Sequence, residues 1–222
     1  AVGGFLPVRL HDSSHDPLPE ADAFIDACLA AGANLMVLAA ITGVDGYDAR
    51  PVLDDTGWTT MLTNLDRIHD LASSRDVAAC LHPHVGTMVE RGDEVERVMD
   101  GSSVGLCVDT GHLAVGGADP VAITAAYSDR VTHVHLKDVD MAMARQVVAG
   151  ELAFGAAVKS GMFRPLGQGD VDIATLITTL EGVGYSGWYV LEQDVMLDDV
   201  PDGAGPAENV RKSLDYLLGS VG

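Results

Sequence analysis

Basic side chains are scarce in this chain: 13 lysines and arginines stand against 33 aspartates and glutamates, a formal charge of −20 over 222 residues. Such acidity repels phosphate backbones and anionic headgroups, so nucleic acid and membrane surfaces are poor partners. A neutral polyol or a cation suits it better. No apolar run approaches the roughly 20 residues needed to span a bilayer. The first ten residues carry no basic segment of the kind that opens a secretory signal peptide. Cysteine is nearly absent. Cys28, Cys80 and Cys107 sit among apolar or small neighbours with no CxxC spacing, which predicts buried, reduced thiols in a cytoplasmic protein. Phosphate-cradling glycine motifs are missing too, since neither GxGxxG nor GxxxxGK(S/T) follows any strand-like run. Internal repeats and low-complexity tracts are likewise lacking.

What is present is a hydrophobic content of 47%, enough for a full core in one domain over residues 1–222. The pattern alternates strand and helix. Strands are predicted over Val2–Leu10, Asn34–Ala40, Val77–His82, Val104–Asp109, Val131–Leu136 and Trp188–Gln193. Helices are predicted over Glu20–Ala31, Asp54–Arg75, Glu90–Met99, from Asp119-Pro120 onward, Asp140–Ser160, Asp172–Gly182 and Pro206–Leu218, and Asp198–Gly205 reads as a surface loop. That alternation implies a parallel sheet with right-handed crossovers. Six strands fall two short of a closed (β/α)8 TIM barrel, so the expected fold is that barrel lacking its first two βα units in this sequence. Those units would precede Ala1 and span roughly 50–60 residues. A doubly wound open sheet is the alternative, disfavoured by the missing glycine motifs.

The densest chemistry lies in Val131-Thr-His-Val-His-Leu-Lys-Asp138. Its period of two sends Val131, His133, His135 and Lys137 to one face and Thr132, Val134 and Leu136 to the other. Two imidazoles and an amine are costly to bury unless they hold a metal or a polar ligand. Other strands end in kind: His82-Pro83-His84-Val85-Gly86-Thr87 with Glu90, Asp109-Thr110-Gly111-His112, and Glu192-Gln193-Asp194. A barrel gathers such ends on one rim. Two imidazoles and two carboxylates there suit Mn²⁺ or Co²⁺, with Zn²⁺ or Mg²⁺ as alternatives, better than Ca²⁺. The bland readings stand beside these. Asp109 before Thr-Gly can simply start a turn, Arg164 can be an ordinary surface residue, His133 lies deeper as packing or support, and His11, His15 and His69 are loop or helix histidines.

With those motifs and Gly167-Gln168-Gly169-Asp170, the chain resembles the xylose-isomerase-like TIM-barrel superfamily of sugar isomerases and epimerases. Within it, the chain looks most like the inosose (2-keto-myo-inositol) dehydratase branch. The likeness runs from Gly3-Gly4-Phe5-Leu6-Pro7 to the C-terminus. It implies one divalent metal held by His82, Asp109, His135 and Glu192, with His82 standing where the epimerases carry a glutamate. Losing that carboxylate disfavours simple epimerisation. It also implies metal-dependent dehydration of a cyclic keto-polyol, by removal of an α-proton and loss of a β-hydroxyl. Glu192 or His84 would act as base, His112 or Glu90 as acid, and Lys137 would stabilise the enolate. Substrate contacts would come from Glu90, His112, Lys137 and Arg164. Met141 stands where the epimerases have a substrate-binding arginine, leaving Lys137 as the nearby cation. The rivals are a ketose or hydroxypyruvate isomerase or epimerase working through an enediolate, and a non-catalytic barrel that binds a polyol. A homo-oligomer is expected from the resemblance alone.

Overall fold

The computed structural model describes residues 1–199 and 203–220, with the side chain of residue 220 left aside. The chain divides into two compact units, Ala1–Cys107 with Arg130–His133, and Val108–Asp129 with the chain from Val134 onward.

The first unit alternates β1 (Gly4–Val8), α1 (Leu18–Ala30), β2 (Leu35–Ala40), α2 (Asp55–Ser73), β3 (Ala78–Leu81) and α3 (Gly92–Gly101), and ends in the first residues of β4 (Gly105–Asp109). Its strands are parallel, with Gly4 opposite Met36, Leu35 opposite Ala78 and Cys80 opposite Gly105. All six residues of β2 are buried, as expected of a parallel strand covered on both faces. One face meets helices: a Cβ on Gly4 would lie 2.7 Å from the Phe24 ring and 2.8 Å from Cys28 Sγ, so α1 packs against β1 only because Gly4 has no side chain. The other face carries a cluster of Leu35, Val37, Cys80 and Cys107. Helix α2 starts where the sequence places it, with Asp54 accepting the Gly57 N–H. It then buries Trp58, Met61, Leu65, Ile68 and Ala72 at helical spacing.

The second unit takes up the end of β4, then α4 (Thr110–Val115), α5 (Pro120–Ala126), β5 (Val131–Leu136, its last three residues), β6 (Asp138–Val139), α6 (Met141–Val148), α7 (Phe154–Lys159), β7 (Phe163–Arg164), α8 (Ile173–Gly182), β8 (Tyr189–Leu191) and α9 (Pro206–Ser220). Strand β5 runs parallel to β8, with His135 opposite Val190, and β6 pairs antiparallel with β7. Strand order is β1-β2-β3-β4-β5 in the first unit and β4-β5-β8 in the second.

Several expectations change at the level of elements. The helical region expected over Asp140–Ser160 is resolved into two helices, because Gly150 turns the chain with φ of +70° between them. Helix α4 and the short β6–β7 pair are additions. Strand β8 is shorter than Trp188–Gln193 and only half-buried, with Trp188 itself exposed. Residues 200–202 of the expected Asp198–Gly205 loop lie outside the described residues. Cys28, Cys80 and Cys107 are buried, with no disulfide among the described residues, and burial pushes the Cys28 thiol pKa up. Among the described residues, no helix is long and apolar enough to cross a membrane.

Candidate metal centre

Three strand ends of the second unit bring Asp109, His135 and Glu192 together. Asp109 is the last residue of β4 and is fully buried; His135 stands on β5, and Glu192 directly follows β8. The backbone pairing of β5 with β8 continues one step further, the Glu192 N–H donating to the Leu136 carbonyl at 3.1 Å. That register sets Glu192 beside the end of β5. His135 Nδ1 lies 3.5 Å from Asp109 Oδ2 and 3.4 Å from Glu192 Oε2. One donor atom from each of the three residues falls within 4.8 Å of the others. For ligand bonds of about 2.1 Å, neighbouring ligands around a tetrahedral ion lie about 3.4 Å apart. The set therefore fits a small divalent ion, and two carboxylates with one imidazole suit a transition ion.

Asp109 divides its labour between its two oxygens. Oδ1 accepts the N–H groups of Gly111 at 3.0 Å and His112 at 2.8 Å, capping α4. Oδ2 faces His135 and Lys137. The turn-initiator reading of this residue holds at Oδ1, and Oδ2 is the oxygen left to face the candidate ligand set.

Lys137 is buried, with 2% of its surface exposed, rather than standing at an open rim. Its Nζ lies 2.8 Å from Asp109 Oδ2, 2.5 Å from Glu192 Oε2 and 3.8 Å from Asp194 Oδ2. Burial by itself lowers the pKa of this amine, but the attraction of Asp109, Glu192 and Asp194 outweighs burial and raises it above its ordinary value. Its backbone is fixed from α4: the Thr110 hydroxyl accepts the Lys137 N–H at 2.8 Å and donates to the Lys137 carbonyl at 2.6 Å. Gly111 makes room for the side chain, since a Cβ there would lie 2.5 Å from Lys137 Cβ.

His112 is buried on α4 against Phe154 and Phe163, with ring centroids at 6.3 and 6.0 Å. Its Nε2 lies 3.8 Å from Asp194 Oδ2. His133, on the same strand as His135, is buried. Arg164, on β7, pairs with Asp140 at 3.1 Å. The Met143 N–H and then Arg164 hold the Asp140 carboxyl below its ordinary pKa.

Asp138 is the residue whose part the sequence did not disclose. It is buried, and its carboxylate accepts backbone N–H groups from Val139 and Val171 at Oδ1 (2.9 and 3.1 Å) and from Gly167 and Gly169 at Oδ2 (2.9 and 2.8 Å). A Cβ on Gly169 would lie 2.3 Å from Asp138 Oδ1. The Gly-Gln-Gly-Asp segment is thus a loop wrapped on a buried carboxylate. Its two glycines, spaced to bring backbone N–H groups near an acceptor, were the available signal.

The first unit holds the remaining sequence-derived candidates. His82 is buried, its ring 5.8 Å from Phe5 and 5.5 Å from His84. His84 Nδ1 lies 2.7 Å from the Val85 carbonyl and its ring 5.9 Å from Tyr47. Glu90 is occupied with its own loop: Oε2 accepts the Gly86 N–H at 2.7 Å and sits 3.5 Å from Arg50 Nε. Arg50 also pairs with Glu94 at 2.8 Å. That ionic tie of the segment after β2 to the segment after β3 was not foreseen.

Parallel βα alternation with ligand-type side chains at strand ends defines the class, and the chain belongs to the xylose isomerase-like TIM barrel family, whose model matches residues 18–219. It is 33% identical over 179 residues to an inosose dehydratase of Geobacillus thermodenitrificans, covering 79% of this chain and 59% of that protein. With an inosose dehydratase of Lacticaseibacillus casei it shares 35% identity over 174 residues, covering 77% of this chain and 57% of the relative. The chain thus spans somewhat under two thirds of the length of these curated relatives. A crystal structure of IolI protein with a bound zinc atom superposes with a TM-score of 0.73 at 14% identity, covering 99% of this chain and 76% of that one. At that identity the likeness speaks for the fold.

Proposed function

We propose that this protein is a metal-dependent hydro-lyase that dehydrates an inosose-type cyclic keto-polyol. The observation that carries the reading is the convergence of Asp109, His135 and Glu192 donor atoms beside a buried lysine, in a chain similar to two inosose dehydratases. Asp109, His135 and Glu192 would hold a divalent transition ion, with His82 added by the family resemblance. Such an ion, when bound, supplies Lewis acidity toward the ketone and its neighbouring hydroxyl, making the α-proton removable.

The chain's own groups account for the proton transfers. Glu192, the partly exposed carboxylate of the cluster, takes the α-proton. Lys137 places a positive charge where the enolate oxygen develops. His112 gives a proton to the departing β-hydroxyl, which leaves as water. One proton removed and one delivered balance the reaction with no oxidant. His84 as an alternative base rests on the resemblance. Glu90 is less suited to acid duty, since Gly86 and Arg50 already engage it. Arg164 as a substrate contact would first have to leave Asp140.

Product analysis separates this reading from a sugar isomerase. Inosose incubated with metal-reconstituted protein should gain the ultraviolet absorbance of a conjugated diketone product, and ketohexoses should not react. A ketose–aldose interconversion with no new absorbance would overturn the dehydratase reading and favour the isomerase.

A further inference from the structure

We propose that Lys137 is a built-in competitor for the metal: its ammonium neutralises Asp109 and Glu192 in the ion-free protein and is handed toward Asp194 when a divalent ion binds. The inference rests on the metal-centre reading above. It follows from a conflict over two atoms. Asp109 Oδ2 and Glu192 Oε2 are the oxygens nearest His135 Nδ1, at 3.5 and 3.4 Å, and so the oxygens a shared ion would take. The same two oxygens hold Lys137 Nζ, at 2.8 and 2.5 Å. An ammonium and a divalent cation cannot share both oxygens at bonding distance, because like charges a few ångströms apart in a buried site repel strongly.

The surroundings decide what yields. Thr110 fixes the Lys137 backbone through both its N–H and its carbonyl, and α4 lies against Cβ at Gly111, so only the outer side chain is free to swing. Asp194 is the remaining acid beside it, 3.8 Å from Nζ and 43% exposed, on the solvent side of the cluster. A swing of this kind converts a structural ammonium into one facing the substrate. Loading the ion would then be the event that releases Lys137 to meet the enolate oxygen.

The test is reductive methylation of the protein with and without saturating Mn²⁺, Co²⁺ or Zn²⁺, followed by peptide mapping. The chain has three lysines, and Lys159 and Lys212 are internal controls, with half-exposed side chains. Lys137 should modify slowly in the ion-free protein and at least about tenfold faster when loaded, with the two controls unchanged. In parallel, Lys137→Met should bind the ion about ten- to a hundredfold more tightly than wild type, measured by competition with a chromogenic chelator. Modification of Lys137 that is unchanged or slowed by an ion that does bind overturns the inference and leaves the metal reading standing. Unchanged or weaker binding by Lys137→Met does the same, and the labelling arm needs no variant to fold. Absence of ion binding by wild type, or binding that Asp109→Asn does not weaken, overturns both.

Discussion

Asp109 carries two demands on separate oxygens, and they can be separated by substitution. Asp109→Asn keeps a carbonyl oxygen able to cap α4 but removes the charge facing His135 and Lys137. Asp109→Ala loses both. Both variants should lose divalent-ion binding, and urea denaturation should find the alanine variant less stable than the asparagine variant by about 1 kcal/mol, the worth of an N-cap. Equal stabilities would mean that the cap contributes nothing. Asp138 makes the opposite case, a buried carboxylate engaged entirely with backbone N–H groups. Asp138→Ala should cost about 3 kcal/mol in urea unfolding, because it orphans several donors at once. A loss below about 0.5 kcal/mol, within the range of surface substitutions, would contradict that account. These two aspartates also mark what could be read beforehand. Asp109 was visible because it ends an apolar strand run. The role of Asp138 was not, because three of its four backbone partners lie about 30 residues along the chain and only tertiary folding brings them in.

At the scale of elements, β5 matches its expected bounds, Val131–Leu136. Its alternation is dense, and both its faces carry side chains with a reason to be where they are. Helix α4 escaped notice because six residues are too few for a period to register; its first N–H groups are held by the Asp109 cap. It is nonetheless the element that positions Lys137, through Thr110 and Gly111. Gly111→Ala should therefore lower stability by about 1–3 kcal/mol through overpacking and shift Lys137 from its carboxylates. A crystal structure of that variant with Lys137 Nζ undisplaced would count against α4 as its support. The split of the Asp140–Ser160 region into α6 and α7 has a local cause, a left-handed glycine that hydrophobic periodicity does not reveal. The half-burial of β8 was missed because Tyr189–Leu191 reads as a buried strand from its residues alone.

For the whole molecule, a formal charge of −20 makes cation binding the natural direction of its electrostatics. Adding Mn²⁺, Co²⁺ or Zn²⁺ at about 100 times its dissociation constant should stabilise the folded chain by about 2.7 kcal/mol. A chelator should reverse this in thermal unfolding. An unfolding midpoint indifferent to both would deny that the folded state holds an ion. The parallel βα alternation was legible because composition and periodicity are properties of the whole chain. The candidate site was legible only as residue types at strand ends; its actual arrangement, with a lysine seated among the carboxylates proposed as ligands, required the three-dimensional register of β4, β5 and β8.

The central claim is that Asp109, His135 and Glu192 hold an ion on which inosose dehydration depends. Its most direct test follows ultraviolet absorbance during inosose turnover by metal-reconstituted wild type, by the chelator-stripped protein and by Asp109→Ala. We expect product absorbance from the reconstituted wild type, its loss on stripping, its return with added ion, and at least about a hundredfold lower rate for Asp109→Ala, the size of a lost electrostatic or acid–base contribution. Undiminished turnover by Asp109→Ala after metal stripping would contradict the account.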